Sequence, residues 1–204
     1  AFDYSLRIGT SIIRMIIMEY LIASAYMGRL DKALEVVNDD PYLSHPFLST
    51  GRSTLFGLYS LFYYLTGGKF LDKVREYAKT VANNEELSPD ESTGVDRISK
   101  DVEKKPVCRR AINEVQRGLV KDLGLKESEA SYLIRRFLIT KLGTVTLLSL
   151  SRLFSSLEVV KDLAKCLAEY GRGEEAELLR KVSKAGNEEE FKDALIKLAM
   201  YLFL

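Results

Sequence analysis

A chain of 204 residues, 47% hydrophobic and 29% charged, with 13 glycines and 4 prolines, has a globular composition that excludes intrinsic disorder. Its net charge of +1 leaves no global field to draw it to nucleic acid or to an acidic membrane. One histidine and two cysteines are too few for a His-rich zinc site, a two-histidine zinc helix or a di-iron bundle, and neither a metal nor a cofactor is expected.

The first predicted element is a helix from about Leu6 to Met27. Ile8, Ile12, Ile16, Tyr20 and Ala23 share one face, with Ile13, Ile17 and Leu21 beside it. Arg14 and Glu19 interrupt the run, and a charge within a bilayer span is costly, so this is a core helix of a soluble fold with no membrane span. Gly28 ends it, and Leu30 to Asn38 folds back as a short second helix. Asp39-Asp40-Pro41 then breaks the pattern. Tyr42 to Thr50 reads as irregular, with the single histidine, His45, placed before Pro46 as a loop residue.

Ser53 to Thr66 organises the rest. It is apolar on every side, and no charge lies between Arg52 and Lys69. A helix without a polar face belongs in a protein core or a bilayer. This one is shorter than the about 20 residues a span needs and stops at Gly67-Gly68, so it is predicted as the central buried helix. Phe70, Val74, Tyr77 and Val81 mark an amphipathic helix from about Lys69 to Asn83.

From Asn84 to Lys105 the composition turns acidic and turn-rich, with one loose helical stripe of Val95, Ile98 and Val102. The expected division is therefore an N-terminal helical half (1–83), an acidic linker or mobile insertion (84–105) and a C-terminal helical half (106–204), joined in one domain. Beyond Pro106, helices are predicted to Leu123, over Lys126–Leu142, from Thr144 to Tyr170 with a break or kink at Ser155-Ser156, over Glu174–Ser183 and over Asn187–Phe203. No segment alternates as a strand does. The predicted class is all-α, a multi-helix bundle of eight or nine helices. Cys108 and Cys166 each fall on an apolar helical stripe and are expected as two unbridged core thiols.

Two features carry chemistry. Ser49, Thr50, Gly51, Arg52 and Ser53 stand at the mouth of the central helix, where hydroxyls, a glycine and unpaired N–H groups suit an anion. A helix cap made by Ser53 or Ser49 is the plainer reading. The second feature is charge segregation: Glu85–Glu103 holds seven acidic and two basic residues, Lys104–Arg152 eleven basic and four acidic. Arg110, Arg117 and Lys121 lie within about 40° of one another on the helix after Pro106, opposite Cys108, Ile112, Val115 and Leu119, with Arg109 and Asn113 alongside. A basic stripe with a buried back is how a helix tracks a phosphate backbone. Arg136 and Lys141 extend the basic half, and one of Arg135 and Arg136 is a candidate for a buried ion pair. Alternatively the stripe is a solvated face neutralised by the acidic segment before it.

Leu119, Leu123, Gly124, Leu125, Ala130 and Leu133 also keep a helix-turn-helix cadence. Its second helix would open with Glu127 and Glu129, a poor approach to phosphates. The expected function is a non-enzymatic subunit of a nucleoprotein assembly, contacting RNA or single-stranded DNA. Small helical subunits of archaeal CRISPR-type effector complexes share that architecture, by analogy and with no common motif. The alternatives are a protein–protein adaptor, including a homo-oligomer formed through the apolar Leu198–Leu204 end, and an enzyme using the Ser49–Ser53 loop. High Glu and Lys with no tryptophan lean towards heat adaptation, and two reduced cysteines without a secretory leader towards the cytoplasm.

Overall fold

A computed structural model describes residues 2–48, 50–84, 97–138 and 143–203. Among them every regular element is a helix: α1 (Phe2–Tyr26), α2 (Leu30–Asp39), α3 (Pro41–Leu48), α4 (Arg52–Leu65), α5 (Leu71–Asn84), α6 (97–103), α7 (Pro106–Lys121), α8 (Glu127–Phe137), α9 (Gly143–Phe154), α10 (Leu157–Ala168), α11 (Glu174–Ser183) and α12 (Glu188–Phe203). The class is all-α, as predicted. The helices outnumber the eight or nine expected because the chain breaks at Ser155-Ser156 into α9 and α10 and because two unpromising segments fold locally. Residues 41–48, expected to be irregular, form α3: the Asp40 carboxylate accepts the Tyr42 N–H at 2.8 Å, and Pro41 opens the helix where no N–H is needed. Part of the acidic segment is also helical, as α6.

α4 is the centre. Leu58, Leu61 and Phe62 have no exposed surface and Phe56 almost none. Its fully buried Ser60 donates to the Phe56 carbonyl at 2.7 Å, so the helix carries no unsatisfied hydroxyl into the core. α5 packs on one side of it and α9 on another, where Val145, Leu147, Leu148 and Leu150 are also fully buried. Tyr59 stacks on Tyr77 of α5 with ring centroids 5.5 Å apart, and Phe56 meets Phe137 of α8 at 5.6 Å. Gly67 and Gly68 turn the chain out of α4 at φ 69° and 118°, values only glycine adopts cheaply. One apolar cluster runs from Ile17 to Leu202 and takes residues from both halves of the chain.

Three expectations need correction. The α1 face of Ile12, Ile16 and Tyr20 does not enter the core; it is exposed, and Ile17, Met18, Leu21, Ile22 and Ala25 are buried instead. α1 has two apolar sides, so periodicity alone could not choose between them. Secondly, Cys108 and Cys166 are not separate thiols. They form a disulfide between α7 and α10, with Cα atoms 5.9 Å apart. Thirdly, the apolar C-terminal end is not uniformly exposed: Leu198, Ala199 and Leu202 are buried within the chain's own core, while Tyr201 is 37% exposed.

A polar lock joins three of these helices. Glu188, at the start of α12, accepts from the Tyr64 hydroxyl of α4 at 2.5 Å and from Arg152 Nε of α9 at 2.9 Å. Burial works to raise the Glu188 carboxyl, but these two donors outweigh it and hold it below its ordinary value. Burial, followed by the bond to Glu188, drives the Tyr64 phenol far upward. Arg152 also donates to the Ser155 carbonyl, so its role is structural.

Candidate nucleic-acid interface

α7 is held by its back. Cys108, Ala111, Val115, Gly118 and Leu119 are buried against α9 and α10, and Pro106 starts the helix at a position that needs no donor. Gly118 permits the closest approach: a Cβ there would lie 2.3 Å from the Phe154 ring of α9. Cys108 is bonded to α10, and the bridge is covered by Val102 and Ile98 of α6 together with Ile112 and Tyr170. With that side fixed, the remaining side of α7 must face outward.

Arg109, Arg110, Asn113, Arg117 and Lys121 are all exposed on that outer side. At a rise of 1.5 Å per residue they extend over about 18 Å of helix. Arg110 has a partner, Glu114, on its own helix at 3.4 Å. An exposed i,i+4 pair is worth only roughly 0.3–0.5 kcal/mol and does not withdraw the charge. Among the described residues Arg109, Arg117 and Lys121 form no ion pair. Lys105, one residue before the helix, is committed elsewhere. It pairs with Glu169 and lies 5.4 Å from the Tyr170 ring centre, and its bond to Glu169 raises its pKa.

Arg136 does not join this face. It is half-buried on the side of α8 that meets α4, where its Nη1 donates to Tyr132 Oη at 3.3 Å and its Nη2 to Ser53 Oγ at 3.5 Å. Arg135 is exposed and turns toward α7. Lys141, Ser49 and the acidic residues 85–96 lie outside the described residues. The acidic start of α8 is consumed in structure. Glu129 accepts the Lys126 N–H at 2.9 Å and the Asn83 amide at 2.7 Å, which lower its pKa in that order, while Glu127 accepts from Gln116 at 3.4 Å. This second helix packs on α5, α7 and α9.

The loop before α4 is less developed. Gly51, not a serine, is the cap residue. A Cβ on Gly51 would meet nothing within 4 Å, so the loop encloses no cradle. Arg52 is exposed, Thr50 is half-buried, and Ser53 faces Arg136.

Sequence reasoning missed the concavity beside α7. A cleft of ≈ 410 Å³ opens where α6, α7 and α8 converge, with Ile112, Ile134 and Leu138 as its apolar part. Lys100, Glu103, Arg109 and Arg135 stand around it, with the amides of Asn113 and Gln116 and the hydroxyls of Ser99 and Ser131. A shallower groove lined by Lys100, Glu103, Lys104, Arg109 and Asn113 adjoins it and shares four of those residues. The charge run at Lys104–Lys121 was the signal available; the contribution of Lys100 and Arg135 required the packing of three helices.

Among the described residues no group of three or more His, Cys, Asp or Glu side chains could hold a metal ion, and no helix is long and apolar enough to cross a membrane. Compared with protein-family models, curated proteins and solved structures, the chain matches none.

Proposed function

We propose that the chain is a non-enzymatic helical subunit of a nucleoprotein assembly, holding the backbone of RNA or single-stranded DNA along the outer side of α7. The observation that carries this reading is the exposure of Arg109, Arg117 and Lys121 with no ion-pair partner among the described residues, on a helix whose back is covalently anchored. Cations with no carboxylate partner among the described residues are available to neutralise phosphates, and each phosphate so neutralised releases a counterion condensed on the strand. Arg109→Glu combined with Arg117→Glu is expected to weaken binding of a labelled single strand roughly 10- to 100-fold at about 0.1 M salt. The slope of log K against log salt should fall by about 1.4, since each single-strand phosphate contributes about 0.7. Unchanged affinity and slope in a salt titration would defeat the reading.

A protein–protein role is the second reading, favoured by the α1 face. Ile12, Ile16 and Tyr20 are 49%, 57% and 44% exposed on successive turns. Apolar patches of this kind mark contact surfaces. In a multi-subunit assembly the two roles are compatible, one face for nucleic acid and one for a neighbouring subunit. The loop at Thr50–Ser53 supports an enzyme less well, because Ser53 is already engaged by Arg136.

A further inference from the structure

We infer that the cleft between α6, α7 and α8 seats a single unpaired base, adenine in preference, while the adjoining groove carries the phosphates on either side of it. The inference rests on the reading of α7 as a nucleic-acid face and goes beyond it in naming the ligand's form.

The two concavities differ in the chemistry a nucleotide divides between its parts. The groove presents Lys100, Lys104 and Arg109 against a single carboxylate, Glu103, which suits phosphate oxygens. The cleft shares Lys100, Glu103 and Arg109 with the groove but adds the apolar side chains of Val102, Ile112, Ile134 and Leu138, which the groove lacks, and its volume of ≈ 410 Å³ lies within the range of small-ligand sites, about 300–1,000 Å³. Arg109 and Asn113, one helical turn apart, line both, so a strand lying in the groove has its bases beside the cleft mouth. The amide of Asn113 makes no hydrogen bond among the described residues. An asparagine amide donates and accepts in the pattern that pairs with the N6 and N7 edge of adenine. The Ser99 hydroxyl, also lining the cleft, is buried without a hydrogen-bond partner among those residues. A base in a duplex is stacked and paired and cannot enter; one in a single strand can. An acidic peptide would satisfy the groove, but it has no use for an apolar slot edged by an amide.

The test uses the full chain and fluorescein-labelled 12-mers in anisotropy titrations: oligo(dA), oligo(dT), oligo(dC) and a mixed-sequence duplex. Oligo(dA) should bind roughly tenfold more tightly than the duplex at equal salt. Ser131→Trp, which fills the cleft, should bring oligo(dA) down to the duplex level with an unchanged salt slope. Asn113→Ala should narrow the spread among the three homopolymers to less than about twofold; this variant decides the matter if circular dichroism finds the tryptophan variant unfolded. Equal binding of single strand and duplex, unaffected by either variant, overturns the cleft and leaves the α7 face standing. Displacement of oligo(dA) by polyglutamate of equal charge at equal concentration also overturns it. No binding of any oligonucleotide removes both readings.

Discussion

Replacing Phe62 by alanine is expected to destabilise the fold by about 3–5 kcal/mol, the range for deleting a fully buried phenyl ring. Phe62 has no exposed surface, and its ring meets Tyr59 at 5.7 Å and Phe70 at 6.4 Å. The loss has two parts. The ring's transfer free energy disappears, and the gap cannot close, because α4 is wedged between α5 and α9. A domain's whole stability is about 5–15 kcal/mol, so this variant should approach the folding threshold. Urea unfolding followed by circular dichroism measures it, with Phe62→Leu expected to cost much less because volume is largely kept. A loss below about 1 kcal/mol for Phe62→Ala would mean that α4 is not the centre of the core.

Removing the disulfide should cost nearly as much. The bridge joins residues 58 apart, and loop-closure entropy at that length corresponds to about 4 kcal/mol of unfolded-state destabilisation. The double variant Cys108→Ala plus Cys166→Ala should lose about 4 kcal/mol, and thiol alkylation should separate the two states cleanly. Unfolded without reductant, the native chain should take up no alkylating agent; after reduction it should take up two equivalents. Two equivalents without reductant would contradict the bridge. The disulfide also removes one ground for expecting a reducing compartment, since such bonds persist in oxidising spaces and, as an exception, inside hyperthermophiles.

Much of the fold was legible because its signals are local. The all-round apolar run in α4, the Gly67-Gly68 turn and the stripe of α7 each depend on residues within a few turns of one another. What escaped was decided by tertiary contact. Cys108 and Cys166 were each recognised as core positions, yet their pairing depends on how α7 meets α10. α1 offered two apolar sides, and only packing against α2, α3 and α4 selects the one with Leu21 and Ile22. Pro46 reads as a breaker, but α3 is fixed from its start by the Asp40 cap, which outweighs one missing donor near its end. The candidate interface divides in the same way. Arg109, Arg110, Asn113, Arg117 and Lys121 were found by helical geometry, and the structure brings them onto one outer side. Arg136 lay near them in sequence but rotates inward to Tyr132 and Ser53, a direction set by how α8 lies on α4 and α5. The cleft was invisible because three separate helices build it.

Photo-cross-linking tests the central claim most directly. A 12-mer of 4-thiouridine bound to the full chain, irradiated and digested, should leave its adducts on peptides from residues 97–121, the span of α6 and α7. Adducts confined to α1 or α12, with none between Arg97 and Lys121, would contradict the account.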